Sequence, residues 1–132
     1  MMTLEEARDF FGQDIFAAKQ LGAVIEEVSR ECVTVSFDIK DIHKNAIGLV
    51  MGGAIYTLCD YAFAIASNAG EVRTVTSTSN MTFLSGTKGS KLIAKCTPIK
   101  DGKTICVYEV NVSDDLGTHV AVVTIMGAHV CK

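Results

Sequence analysis

The sequence has no excess of positive charge, no long apolar run and no paired-cysteine motif, and each absence removes a class of function. Its 132 residues carry 12 Lys and Arg against 15 Asp and Glu, a formal net charge of -3. That leaves no basic footprint for nucleic acid. The lysines are scattered, so nothing points to an anionic membrane surface either. The start, Met1-Met2-Thr3-Leu4-Glu5-Glu6, is acidic where a secretory signal would be basic, and no long apolar run follows it. The most apolar segment, Ala54 to Ala69, is too short to span a bilayer and contains Asp60. These absences predict a soluble, cytoplasmic protein. The five cysteines (Cys32, Cys59, Cys96, Cys106 and Cys131) are odd in number and show no CxxC spacing, which argues against a disulfide framework or a zinc knuckle. Small buried residues in a reducing compartment are expected instead.

What is present is the composition of a globular chain, 48% hydrophobic and 20% charged. There is no internal repeat, low-complexity tract or linker, so one domain over residues 1–132 is expected. Thr3-Leu4-Glu5-Glu6 fits a capping box, with a short amphipathic helix following to about Phe11 and Gly12 ending it. Asp14 to Gln20 adds another turn or two. Ala23 to Ser29 reads as a strand. Cys32 to Lys40 reads as a clearer one, because Val33, Val35, Phe37 and Ile39 alternate with Thr34, Ser36, Asp38 and Lys40. A loop follows over Asp41 to Val50, with turn residues Asn45 and Gly48. Gly52-Gly53 opens a helical run to near Gly70 that is apolar nearly all round and so expected to be buried on most sides. Strands are predicted over Arg73 to Leu84, Lys91 to Pro98, Thr104 to Ser113 and Thr118 to Val130, with turns at Gly86 to Ser90, Asp101-Gly102 and Asp114 to Gly117. The order predicts an α+β fold, an antiparallel sheet wrapped around one long buried helix.

Asp60 is the only charged side chain in that helical run. No cation lies three or four residues from it, so no helical ion pair accounts for it. A buried carboxylate is costly unless paired. Hydroxyls such as that of Thr57 are available to bond it, and a satisfied core or interface Asp is the alternative to a catalytic one. Gly52-Gly53 sits at the helix start, where the first amides lack intrahelical partners and lie at the positive end of the dipole. A side chain of hydrogen lets a ligand atom approach them, which suits an oxyanion hole, although such a pair is also a common turn. Gly52 and Asp60 are a little over two turns apart, roughly 12 Å along a helix. A reacting carbonyl needs its catalytic groups within about 3–3.5 Å. One helix can hardly supply both to one reacting carbonyl, whereas two antiparallel copies across a two-fold axis can. A homodimer with a shared site is therefore expected. Asn45 offers both a donor and an acceptor for water or an acyl group, or simply forms a turn.

His43-Lys44-Asn45-Ala46-Ile47-Gly48-Leu49-Val50-Met51-Gly52-Gly53, followed by Leu58-Cys59-Asp60, resembles the core motif of hotdog-fold acyl-CoA thioesterases. The PaaI-type, 4-hydroxybenzoyl-CoA thioesterase-like and mammalian acyl-CoA thioesterase groups are the most similar. Asn68, the Asn80-Met81-Thr82-Phe83-Leu84 strand and the closing strands fit as well. The resemblance implies a hotdog fold, a homodimer or homotetramer with the site at the dimer interface, and hydrolysis of acyl-CoA without a cofactor. It implies that Asp60 is the catalytic acid, as nucleophile or general base, and that the Gly52 amide polarises the thioester carbonyl. It further implies that Asn45 places substrate or water and that Thr76 assists the water, with Ser77 and Thr78 close by. Gly53, Met51, Tyr56, Phe83 and His43 are candidate substrate contacts. Lys88, Lys91 and Lys103 are candidates for the CoA nucleotide. Relatives usually carry His before the Gly-Gly, and Met51 stands there instead; Met cannot donate a hydrogen bond or carry a proton. That departure favours a second reading, a non-catalytic acyl-CoA binder or sensor, and disfavours a third, a hydratase, which wants a His with a carboxylate. His119 and His129 share strand parity but lie far apart in the chain, and no acid cluster is expected to accompany them, so no metal is assigned.

Overall fold

The computed structural model describes residues 1–131. Helix α1 (Leu4–Phe11) starts on the expected capping box: the Glu6 N–H donates to Thr3 Oγ1 at 3.2 Å and the Thr3 N–H to Glu6 Oε1 at 2.9 Å. It buries Ala7 and Phe11, and a turn of π-helix over Phe16–Gln20 carries the chain on to the sheet. Strands β1 (Val24–Val28) and β2 (Val33–Asp38) precede helix α2 (Gly52–Asn68), and a single 3₁₀ turn at Asp41–His43 lies in the connecting loop. Strands β3 (Arg73–Phe83), β4 (Lys91–Asp101), β5 (Ile105–Asp114) and β6 (His119–Cys131) follow. All pairings are antiparallel, in the order β1-β2-β4-β5-β6-β3.

The sheet curves round α2, which packs against β2 through β6 with Ile55, Leu58, Cys59, Ala62, Phe63 and Ile65 buried beneath it. The facing residues are the alternating sets Val33/Val35/Phe37, Val110/Val112 and Ala121/Val123/Ile125, all buried. This is the hotdog arrangement expected from the sequence. Two local differences have clear causes. Thr34 and Ser36, the polar half of β2, are buried too, because β1 covers them: the Thr34 and Ser36 hydroxyls donate to Glu27 and Glu26 at 3.0 and 2.8 Å. Strand β4 runs past Pro98 to Asp101, but β2 pairs it only as far as Cys96, so the missing N–H of Pro98 falls where one side of β4 is free. Cys59, Cys96 and Cys106 are buried as expected, Cys32 is only half-buried, and the side chain of Cys131 lies outside the described residues.

Candidate active site

Met51 caps α2 with an extended backbone, φ -64° and ψ 135°, and its carbonyl accepts from the Ala54 and Ile55 N–H groups at 3.0 and 3.3 Å. The N–H groups of Gly52 and Gly53 are left over. Among the described residues neither has an acceptor within the chain, so both remain available to a ligand at the positive helix end. The ring of Phe83, from the end of β3, stands over Gly52: a Cβ there would lie 3.1 Å from Phe83 Cζ. Gly52, Ile55 and Phe83 form one wall of a cleft of about 650 Å³, and Val50, Leu49, Lys44 and the loop from Leu84 to Gly89 form the others. Lys44 and Lys88 are its two cations.

Asp60 is more than two turns further along α2 and does not line this cleft. It is also not in the buried body of the helix. Gly53 and Asp60 are exposed and Tyr56, Thr57 and Ala64 half-buried, a strip at helical spacing that the chain's own sheet leaves uncovered. The expectation of a core carboxylate is thus corrected: the buried side of α2 is apolar and the one charge sits on its open side. Thr57 does not bond Asp60, since its hydroxyl donates back to the Gly53 carbonyl at 2.8 Å. Burial by the surrounding strip nonetheless raises the Asp60 carboxyl above its ordinary value, and the charge of Asp14 pushes the same way. Asp14 comes near because the Tyr61 hydroxyl donates to the Phe11 carbonyl at 2.8 Å and thereby holds the end of α1 against α2. Cys59, next in sequence to Asp60, is fully buried with its thiol pushed up to about 12, by burial first and Asp60 second, and so is inert.

Strand β3 supplies the other wall of the open strip. It is the last strand of the sheet and has a bulge between Thr76 and Thr78. Thr76 pairs with Gly127, whose missing side chain would point at Phe63, so Thr76 faces α2. Past the bulge, Ser79, Met81 and Phe83 pair with the buried Ile125, Val123 and Ala121 and face the same way. Tyr56 Oη lies 2.8 Å from Ser79 Oγ and ties the strip to the strand. Ser79 was not among the residues singled out from sequence. Simple alternation from Thr76 places it correctly only once the bulge is known.

Other expected residues are arranged differently. Asn45 is exposed, and its Oδ1 accepts from the Ile47 and Leu49 N–H groups at 3.1 and 3.0 Å, the turn-forming role. Met51 is exposed beside the cleft. His43 is not a substrate contact: it is buried at 4% exposure, Nδ1 accepts from the Lys40 N–H at 2.9 Å, and Nε2 donates to the Leu21 carbonyl at 2.7 Å. No ring nitrogen is left for a ligand, because the loop folds its ring onto Phe37. Lys88 lines the cleft, Lys91 faces Glu26 at 3.4 Å, and Lys103 lies beyond the opposite end of β4 from Lys91. The three lysines therefore do not form one patch. His129, expected to have no acidic neighbour, has Asp101 at 3.1 Å.

Residues 47–121 match the thioesterase superfamily, a span that includes the helix α2 motif. A Deinococcus radiodurans protein provisionally named an esterase is 30% identical over 107 residues, covering 80% of this chain and 73% of its own. A Streptococcus mutans protein solved with acetyl-CoA bound superimposes with a TM-score of 0.79 at 27% identity, over 83% of this chain and 90% of the other. The E. coli PaaI protein of the phenylacetic acid degradation operon shares the fold at a TM-score of 0.83 and 22% identity, over 97% and 96% of the two chains. The chain belongs to the thioesterase superfamily. It is by that membership a thioester hydrolase.

Proposed function

We propose that this protein hydrolyses acyl-CoA thioesters in a site shared between two copies of the chain. The observation that carries this reading is the placement on one helix of two groups without a partner among the described residues, one at its start beside the cleft and one on its open side. They are the Gly52 amide at its start and the Asp60 carboxylate more than two turns on. A second copy laid antiparallel against the open side of α2 and the free edge of β3 brings the Asp60 of one chain to the Gly52 of the other. The thioester carbonyl then accepts from Gly52 N–H, which stabilises the oxyanion as it forms. Either Asp60 takes a proton from the attacking water, the C–S bond breaks and the CoA thiolate leaves with that proton, or Asp60 attacks the carbonyl itself, the thiolate leaves, and water then cleaves the resulting anhydride and supplies the proton of the thiol. Thr76 and Asn45 would place the water in such an assembly.

The acyl group would rest on Met51, Tyr56 and Phe83. The acetyl-CoA bound to the S. mutans protein supports CoA as the carrier. No cofactor is needed for this chemistry, and the reaction suits a cytoplasmic protein. No helix among the described residues is long and apolar enough to cross a membrane.

The test uses two inactive chains. Asp60→Asn removes the carboxylate and Gly52→Pro removes the amide donor. Refolding them together gives mixed dimers with one complete site, and about a quarter of wild-type turnover of an acyl-CoA panel should return. A mixture as inactive as its parts sinks the shared site. A wild type that binds acyl-CoA without turnover sinks the hydrolase and leaves a binding protein, the reading that Met51 at the helix cap favours.

A further inference from the structure

Four strand ends converge where β4 turns into β5. Asp101 pairs with Cys106 across β4 and β5, Cys106 pairs with Gly127 across β5 and β6, and His129 follows on β6. His129 Nε2 lies 3.1 Å from Asp101 Oδ1. One ligand atom from each of Asp101, Cys106 and His129 lies within 4.8 Å of the others. The second ring nitrogen, Nδ1, is 2.8 Å from Thr74 Oγ1 on β3.

The hydrogen bonding fixes the ring. The Thr74 hydroxyl gives its one proton to the Ser67 carbonyl at 3.1 Å, so toward His129 it only accepts, and Nδ1 carries the N–H. In the neutral ring, Nε2 then presents a lone pair to a carboxylate that has no proton to offer. Either a second ring proton, which makes an ion pair, or a bound cation resolves this opposition. An imidazole nitrogen aimed at the site, with the other ring N–H held by a polar partner, is the usual setting of a metal-ligating histidine.

We propose that Asp101, Cys106 and His129 bind one zinc-class divalent cation, with a fourth position open to water. The mixed O, S and N set suits zinc or cobalt rather than magnesium or calcium. Bonds of about 2.0–2.3 Å in a tetrahedron bring ligand atoms to roughly 3.3–3.8 Å from one another. The Nε2–Oδ1 distance of 3.1 Å must open by a few tenths of an ångström to reach that separation, and the sulfur starts within 4.8 Å of both atoms. Exposure rises from Cys106 at 0% through the His129 side chain at 10% to the Asp101 side chain at 60%, which gives the ion a path from solvent. Gly127 makes room: a Cβ there would lie 3.1 Å from Cys106 Sγ and 2.7 Å from Thr74 Cγ2. A cation here ties β4, β5 and β6 together and, through Thr74, the strand that carries Thr76. The inference does not depend on the thioesterase reading.

The experiment is titration of the chelator-treated full chain with Co²⁺ and then Zn²⁺. One equivalent of Co²⁺ should give a thiolate-to-cobalt charge-transfer band and the strong visible bands of a tetrahedral site, both displaced by Zn²⁺. Cys106→Ser should abolish the charge-transfer band. Asp101→Asn, at an exposed position that keeps the fold, should weaken Zn²⁺ binding at least tenfold. No Co²⁺ spectrum, or a spectrum unchanged by both substitutions, overturns the proposal, and His129 and Asp101 are then an ordinary ion pair.

Discussion

The Tyr56 hydroxyl and the Ser79 hydroxyl meet at 2.8 Å and form a side-chain hydrogen bond between the open strip of α2 and the edge strand β3. Both belong to the surface that a second copy would cover. Tyr56→Phe keeps the ring and loses this bond, and a net loss of about 0.5–1.5 kcal/mol is expected from chemical denaturation. A double-mutant cycle with Ser79→Ala should recover most of that loss as coupling between the two residues.

Asp60→Asn should lower turnover by about 10²–10⁴-fold, the range of acid–base catalysis. It should also raise the melting temperature at neutral pH. The Asp60 carboxyl is raised in the fold by burial and then by Asp14, so its ionisation opposes folding. Its contribution is therefore favourable below the unfolded value of about 3.9 and is lost as pH rises through the folded one. The stability advantage of the Asn variant should shrink as pH falls, and melting curves across pH check it.

Gly52 can be tested without breaking the helix. It is the first helical residue, where proline is tolerated, and Met51 before it already has the extended backbone that proline requires, ψ 135°. Its N–H bonds nothing within the chain among the described residues. Gly52→Pro should keep the fold and reduce kcat by about 10²–10³-fold through loss of an oxyanion donor. Gly52→Ala adds the same Cβ against Phe83 but keeps the N–H. The difference between the two kcat values isolates the amide.

His43→Ala should cost stability and leave KM nearly unchanged. The ring is buried, packed against Phe37 with ring centroids 4.2 Å apart and tilted by 40°, and bonded at both nitrogens to main chain. Its removal leaves a cavity and two unsatisfied groups, worth about 2–4 kcal/mol together. A large rise in KM with unchanged stability would return His43 to the substrate site.

Asp114 organises the wall of the cleft. Its carboxylate accepts from the Lys88, Gly89, Leu116 and Thr118 N–H groups and the Thr87 hydroxyl, at 2.8 to 3.0 Å. Burial alone would raise its carboxyl, but these bonds outweigh it and hold the group well below the usual range. Its stabilisation is present above the unfolded value of about 3.9 and is lost as pH falls toward the folded one. The protection of the Lys88 and Gly89 amides, relative to the unfolded chain at the same pH, should fall as pH drops below about 3.9, whereas in Asp114→Asn it should already be low at neutral pH and respond little.

Much of this was legible in the sequence because local patterns carried it. The capping box at Thr3, the alternation from Val33 to Phe37, and the glycines before α2 each encode their structure within a few residues. What was not legible depended on distant chain. Asp60 was read as buried because α2 is apolar on most sides, and nothing local says which narrow side the sheet leaves open. His43 was a candidate substrate contact because its acceptor, Leu21, is far away in sequence. The parity of Ser79 depends on the bulge after Thr76, which only the pairing of β3 with β6 reveals. His129 was dismissed for want of an acid because Asp101 comes from another strand.

The edge strand has a consequence beyond catalysis. From Arg73 to Phe83, β3 carries a single charge, at its first residue, and no proline. Edges that stay in solvent are normally guarded by inward charges, prolines or short length. An unguarded edge of this length recruits whatever strand it meets. On the proposed shared site, a chain that left this edge bare would trade catalysis for sticking to its neighbours, and protection from aggregation and completion of the site would fall to the same stretch of backbone.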